Sequence, residues 1–316
     1  MKTTPFKSSA LLICTFLILS FLSFGQITEK NYRIYSTKLG KEVALNDVVE
    51  EMKNYDVLFF GEEHNDSVTH NLENKMLELL YQKYNSSITL SMEMFDRDVQ
   101  IVMNEYLSGS IREKNFTKDA RVWSNYRDYK PMVEFSKKNK LDVICANAPS
   151  RYTNLAGRKG QKALMELSTD AKKLFAPLPY DTASGKYYDK LMALTKHDIA
   201  PTVADTSAKK TPAMPPMGGF NLIMGQSLWD ATMAYSISEY LKKNIEKKVM
   251  QVNGRFHSDE GFAVVTQLKK YSPKTKSLII STGSDDAFPN IDWSTHKQFG
   301  DYIIITDPAI PKTYKE

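Results

Sequence analysis

The sequence predicts an α/β fold: an open, mainly parallel sheet with helices on both faces and an inserted helical subdomain or lid. Short apolar runs alternate with helical patterns along most of the chain, as parallel strands and their crossover helices do. Several runs end in a glycine or a polar residue, and the alternation is interrupted between about residues 150 and 219. A chain of 316 residues is long enough to bury a sizeable core.

Strands are predicted from continuous apolar runs, which are typical of strands buried on both faces. These runs are residues 56–60, 87–93, 141–147, 248–254, 276–282 and 302–306. Helices are predicted from apolar residues at helical spacing, for example Leu72, Met76, Leu79 and Leu80 in the first helix. They cover about residues 67–84, 97–107, 130–138, 221–243 and 259–270, with shorter pieces within 163–174.

The first 25 residues have the pattern of a signal peptide. Lys2 and Lys7 precede an apolar stretch at residues 10–24, and small residues precede a cut ahead of Gln26. The alternative is an uncleaved membrane anchor, although the apolar stretch is short for a helix of roughly 20 residues. We therefore expect an exported protein, periplasmic or associated with the outer membrane, with one domain over residues 26–316.

Charge and cysteine content exclude two further interpretations. The formal net charge of +5 falls to about +3 without the first 25 residues, which is too weak and scattered to indicate nucleic-acid binding. Only Cys145 remains after cleavage, so no internal disulfide can form. Its apolar neighbours predict a buried, inert thiol.

Two G-x-x-H motifs follow predicted strands in distant parts of the chain. The first motif runs from Gly61 to His64 and the second from Gly254 to His257. Ligands of open parallel sheets bind at the carboxyl ends of the strands, so the two histidines are expected to converge there. Within the first motif, Glu62 is expected to face inward.

Other strand ends add polar residues to the same rim. The additional candidates are His70, Glu93, Asn147 and either Arg151 or Arg97. Imidazoles and carboxylates bind transition metals and transfer protons near neutral pH. An arginine holds a carboxylate or a phosphate through two parallel hydrogen bonds. A single G-x-x-H is weak evidence, since a histidine after a strand is often structural, but the pair favours a shared site.

The sequence resembles the ChaN-like haem-binding uptake proteins. This resemblance rests on "DVLFFGEEHND" with His70 after it, "SMEMFDRDVQ", "LDVICANAPSRY" and "NGRFHSDEGFAVVTQL". The ChaN-like proteins belong to the wider Tiki superfamily, which includes TraB-like and erythromycin-esterase-like proteins. The resemblance implies that residues 26–316 form a haem-binding domain with a helical lid at about 150–219.

The resemblance also implies a function in haem or iron uptake, with haem as the ligand. His64 or His257 would ligate the iron, with His70, Glu93, Asn147 and Arg151 lining the site. Outer-membrane uptake components are the implied partners, and a homodimer is a possible assembly.

Two alternatives remain open at this point. A hydrolase, either an esterase or a protease, would use Glu62, His64, Glu93 and His257. In it, His64 and His257 would bind a divalent metal such as zinc, or the residues would activate water without one. The other alternative is an inert domain whose rim binds another ligand or a partner protein.

Overall fold

The computed structural model describes residues 27–197 and 221–314. Within them lies one sheet of eight strands: β1 Tyr32–Ser36, β2 Lys41–Glu42, β3 Val57–Glu62, β4 Ile88–Asp96, β5 Val143–Asn147, β6 Lys248–Gly254, β7 Ser277–Ser284 and β8 Tyr302–Thr306. Their order across the sheet is β2-β1-β8-β7-β3-β6-β4-β5. All pairs from β8 to β5 are parallel, whereas β1 is antiparallel to both of its neighbours.

Helices cover both faces of this sheet. Those in the described residues are α1 Leu45–Glu51, α2 Ser67–Tyr84, α3 Gln100–Leu107, α4 Glu113–Asp119, α5 Tyr126–Asn139, α6 Ser150–Met165, α7 Thr169–Lys172, α8 Gly185–His197, α9 Leu222–Lys243 and α10 Ala263–Tyr271. None of these helices has the length and apolar character required to span a bilayer.

Side chains of β3 alternate between the two faces, and each face has its own core. Leu58 and Phe60 pack with residues of α1, α2, α3 and α5 in the larger core. Val57 and Phe59 point the other way and pack against α9 and α10. All four side chains are fully buried, which explains why the run is continuously apolar instead of alternating.

The predicted fold class is confirmed, and several elements differ in detail. The sequence pattern did not predict α1, α4, β1 or β2. Strands β1 and β2 extend the sheet beyond β8 by antiparallel pairing. The helix predicted to begin near residue 259 begins at Ala263 instead, so that boundary was wrong. Glu260 and Gly261 have φ angles of 61° and 72°, which an α-helix does not accommodate.

The segment expected to form a helical insert contains α6, α7 and α8 in its described part. Helix α6 packs on α9, with Tyr152, Leu164, Phe175 and Leu228 in a small separate core. Residues 198–219 of the expected insert and the expected signal peptide at residues 1–25 lie outside the described residues.

Candidate functional site

The two G-x-x-H motifs lie side by side, because β3 and β6 are neighbours and Glu62 pairs with Gly254. A Cβ atom on Gly61 would lie 2.9 Å from the backbone Cα of Arg255. A Cβ atom on Gly254 would lie 2.7 Å from Nε2 of His64. The absence of a side chain at each glycine therefore makes room for a residue of the other motif. This close approach explains why both motifs begin with a residue that lacks a side chain.

One ring nitrogen of His64 is fixed, and the other has no hydrogen-bond partner among the described residues. Its Nδ1 lies 2.7 Å from Oε1 of Glu62, and the Tyr129 hydroxyl donates to the same oxygen at 2.7 Å. The ring meets Trp123 edge-on, with 5.3 Å between centroids. No residue of the described chain hydrogen-bonds its Nε2, which lies over Gly254, and a third of the side chain is exposed.

The carboxylate of Glu62 keeps its negative charge in this setting. Burial alone would raise the pKa of Glu62, but hydrogen bonds to His64 and His70 outweigh burial and lower it. Burial alone would lower the pKa of His64, yet the Glu62 hydrogen bond and the charge of Glu93 leave it raised. The Glu62 carboxylate therefore fixes the Nδ1 hydrogen of His64 and directs Nε2 into the crevice.

His257 has carboxylates on both ring nitrogens. Its Nδ1 lies 2.6 Å from Oδ1 of Asp230, and its Nε2 lies 3.4 Å from Oε1 of Glu93. The Tyr187 hydroxyl donates to Oδ2 of Asp230 at 2.7 Å, and the backbone N–H of Gly254 donates to Oε2 of Glu93 at 2.7 Å. Only 8% of the His257 side chain is exposed. This histidine is thus enclosed, in contrast to His64.

The charges around His257 favour an imidazolium between two carboxyl groups. Burial alone would lower the pKa of His257, but the charges of Glu93 and Asp230 raise it well above its usual value. Burial raises the pKa of Asp230 despite its contacts with His257 and Tyr187. For Glu93, the charge and hydrogen bond of His257 outweigh burial and lower the pKa.

His70 lies behind His64, on the first turn of α2. Its Nδ1 is 3.1 Å from Oε2 of Glu62 and 3.2 Å from Oε2 of Glu73, and its Nε2 donates to the carbonyl of His64 at 3.1 Å. The Asn125 amide donates to the same carbonyl at 3.3 Å. Five of the sequence candidates, which are Glu62, His64, His70, Glu93 and His257, thus meet in one region.

The other sequence candidates make different contacts. Asn147 is buried and its side chain accepts from the backbone N–H of Ala148. Arg151 is half exposed, pairs with Asp98 at 2.5 Å and lies over its neighbour Tyr152. Arg97 donates to Ser236 at 2.8 Å. Their described contacts are therefore with residues other than the three histidines.

Sequence reasoning missed Tyr129 and Glu73. Glu73 lies three residues after His70 on one helix face, and this spacing is a signal that could have identified it. Asp230 lies four residues after Gln226 on α9, and its carboxylate contacts His257. Tyr129 lies on α5 and has no local pattern that links it to Glu62.

Comparison with known proteins agrees with this geometry. A family model described as "Haem-binding uptake, Tiki superfamily, ChaN" matches residues 48–268. The chain belongs to this ChaN-like family. The match spans both G-x-x-H motifs and confirms the resemblance predicted from the sequence. It also links the chain, at the level of the family, to haem binding and uptake.

One solved structure shows the same fold. A structure described as cofacial haem binding to ChaN of Campylobacter jejuni superposes with a TM-score of 0.64 at 15% identity, over 88% of this chain and 98% of that one. An erythromycin esterase, EreC, in its open conformation gives a TM-score of 0.44 at 10% identity, over 88% of this chain and 83% of the other. The second likeness is too low to carry an argument. The search of curated proteins found no match.

The described residues fit a haem ligand in their donor chemistry. An imidazole that ligates haem iron needs one available nitrogen, and it is usually oriented by a hydrogen bond at the other. His64 meets both conditions through its contact with Glu62. His70 and His257 do not, because both of their ring nitrogens face polar atoms of the protein.

Proposed function

We propose that this protein binds haem with His64 as the iron ligand and serves haem or iron uptake outside the cytoplasm. One observation carries the choice of ligand. Of the three histidines that meet near the strand ends, His64 alone combines a ring nitrogen without a protein partner in the described residues with a side chain one-third exposed. Membership of a haem-binding uptake family supports the choice of haem.

The residues around His64 would have separate roles when haem is bound. Bound haem would supply an iron centre that accepts an imidazole nitrogen as a ligand. Glu62 would hold the Nδ1 hydrogen of His64 and keep the ring oriented, while Tyr129 would hold Glu62. Trp123 offers an apolar surface beside the ring. Glu93 and His257 would form a polar wall of the crevice beside Gly254.

The test is an absorbance titration of the purified protein with hemin, beside His64→Ala and the control His296→Ala. In the described residues His296 pairs with Asp285 and contacts none of the three histidines of the site, so its loss should leave binding unchanged. We expect saturable binding with a shifted Soret band in the wild type, and loss or displacement of that band in His64→Ala alone. A linear, non-saturating response in all three proteins would refute the proposal.

Export and partners also belong to this proposal. The signal-peptide pattern of residues 1–25 supports delivery to the periplasm or the outer membrane, where uptake components would be the partners. N-terminal sequencing of the protein recovered from the cell envelope tests this step. A mature chain beginning at Gln26 would support it, and a chain retaining Met1 in the cytoplasm would contradict it. A homodimer stays a prediction for measurement in solution.

A metal-dependent hydrolase is the second candidate, and one feature favours it. His64 and His257 each have a carboxylate at Nδ1. Nε2 of His257 faces Glu93, and Nε2 of His64 faces the crevice beside Gly254. Histidines oriented in this way hold zinc in metalloenzymes. Zinc-dependent cleavage of an ester or a peptide that falls by orders of magnitude in Glu93→Gln would support a hydrolase. Absence of such cleavage, with intact hemin binding, would exclude it.

A further inference from the structure

A second cluster of ligating side chains lies behind His64, away from the crevice. Glu62, His70 and Glu73 are buried, and one potential ligand atom from each lies within 4.8 Å of the others. They come from the end of β3 and the first half of α2. Neither His257 nor Glu93 belongs to this set, so the cluster is distinct from the convergence of the two motifs.

Hydrogen bonding defines which nitrogen of His70 faces the cluster. The carbonyl oxygen of His64 can only accept, so Nε2 of His70 carries a hydrogen and donates to it at 3.1 Å. This leaves Nδ1 toward Oε2 of Glu62 at 3.1 Å and Oε2 of Glu73 at 3.2 Å. Two carboxylate oxygens cannot lie this close to Nδ1 in a buried space unless a proton on Nδ1 or a metal cation lies between them.

Two carboxylate oxygens of the cluster also have few partners. In the described part of the chain, Oε1 of Glu73 has no hydrogen-bond partner and Oε2 of Glu62 has only Nδ1 of His70 near it, at 3.1 Å, although both side chains are fully buried. Leaving a buried carboxylate oxygen unpaired is costly, because nothing replaces the water that it has lost. A proton on Nδ1 of His70 is a single donor and cannot hydrogen-bond all of these oxygens.

The surroundings of the cluster resemble the support of a metal site. Histidines that bind metals usually donate their other N–H to a carbonyl or a carboxylate, as His70 does to His64. The second oxygen of Glu62 is fixed by Tyr129. Separations of 3.1 and 3.2 Å are near the roughly 3.3 Å expected between ligands of a tetrahedral ion with bonds of about 2.0 Å.

We propose that Glu62, His70 and Glu73 form a site for a divalent cation of the zinc class. An imidazole nitrogen with two carboxylates is a donor set that suits Zn²⁺. The ion would bind Nδ1 of His70 through its lone pair, and any proton held there would leave to water. Because Glu62 contacts both His70 and His64, it joins this ion to the crevice. This site does not depend on haem, so it stands or falls separately from the proposed function.

The experiment measures zinc in haem-free protein. The chelator-treated wild type is incubated for a long period with Zn²⁺, because the ligands are buried, and is then analysed by mass spectrometry and calorimetric titration. We expect one equivalent of zinc in the wild type and at least tenfold weaker binding in Glu73→Gln. The control Glu93→Gln removes a carboxylate of the crevice and should bind within threefold of the wild type. Circular dichroism checks that each variant folds.

Two results would overturn the proposal. One is a wild type that binds no zinc after incubation. The other is zinc binding that persists in Glu73→Gln and is lost in Glu93→Gln or His257→Asn, since that pattern assigns the ion to the crevice. If Glu73→Gln fails to fold, Glu73→Asp takes its place, because it keeps the charge but withdraws the ligand atom. Unchanged zinc affinity in that variant would also overturn the proposal.

Discussion

The two G-x-x-H motifs share one spacing and end neighbouring strands, yet their histidines lie in different environments. His64 is one-third exposed and has a single carboxylate partner, Glu62. His257 is enclosed between Asp230 and Glu93, with 8% of its side chain exposed. The carboxylate at Nδ1 of each histidine also accepts from a tyrosine: Tyr129 for Glu62 and Tyr187 for Asp230.

This difference shows that the spacing places a histidine but does not assign its role. The second carboxylate makes the difference. Glu93 lies at Nε2 of His257, whereas Nε2 of His64 has no hydrogen-bond partner among the described residues. We therefore expect His257 to contribute mainly to stability and His64 mainly to binding. Replacements at matched positions of the two motifs can test this division.

The largest expected effect is on the stability of variants of the two histidines. His257→Ala leaves Asp230 and Glu93 as buried carboxylates without their shared partner, which should lower the free energy of unfolding by about 3–5 kcal/mol. His64→Ala leaves Glu62 paired with Tyr129 and should cost about 1 kcal/mol. Urea denaturation of both variants measures the difference. Equal losses would contradict the division of roles.

The second largest effect is expected on the stability of variants of the two motif glycines. A methyl group on Gly61 would meet the backbone Cα of Arg255, which cannot move without displacing the second motif, so Gly61→Ala should cost about 1–3 kcal/mol. A methyl group on Gly254 would meet the His64 ring, which can turn toward solvent. Gly254→Ala should therefore cost less stability and still weaken hemin binding. Thermal unfolding and hemin titration together distinguish these outcomes, and a larger stability loss in Gly254→Ala would be the contrary result.

A smaller effect is expected from pH. The pKa of His257 is raised on folding by Glu93 and Asp230, against the opposing effect of burial. Its stabilising contribution is complete below about pH 6.5, the usual value of histidine, and decreases as the pH rises toward the folded pKa. The stability difference between the wild type and His257→Asn should thus shrink by about 1 kcal/mol per pH unit between pH 7 and 9. Urea titrations across this range would show a constant difference if His257 were neutral.

The smallest effects are expected for the two tyrosines. Tyr129→Phe and Tyr187→Phe each remove one hydrogen bond to a buried carboxylate that keeps its histidine partner, with a cost of about 1 kcal/mol each. Tyr129→Phe should in addition shift the Soret band of bound hemin, because Glu62 would interact more strongly with His64. Tyr187→Phe should leave the band in place. A band shift in Tyr187→Phe alone would reverse the assignment of the two motifs.

The strands that carry the site could be predicted from the sequence, because a local pattern of apolar residues determines them. Apolar runs predicted β3 and β6, and both motif glycines lie at the carboxyl ends of these strands. The site residues near those ends could therefore be predicted from the strands themselves. Residues fixed by distant packing were harder to predict. Tyr129 reaches Glu62 from α5 across 67 positions of the chain, and no periodicity encodes that contact. The antiparallel strand β1 likewise depends on β8, which lies near the opposite end of the sequence.

The positions of long charged side chains were also hard to predict from the sequence. Arg151 follows a strand end, as predicted for a rim residue, but its guanidinium pairs with Asp98. An arginine has several rotatable bonds, so its position in sequence does not fix the place of its charge. Short residues such as Glu62, directly on a strand, are fixed by the backbone and were predicted correctly as inward-facing.

The most direct test of the division between the motifs is rescue of hemin binding by free imidazole in His64→Gly, compared with His257→Asn. Free imidazole can occupy the space left by the ring and supply the missing nitrogen. We predict that His64→Gly loses the wild-type Soret band and regains it with imidazole, while His257→Asn keeps the band without it. A wild-type band in His64→Gly without imidazole, or rescue confined to His257→Asn, would contradict the assignment of His64 as the ligand.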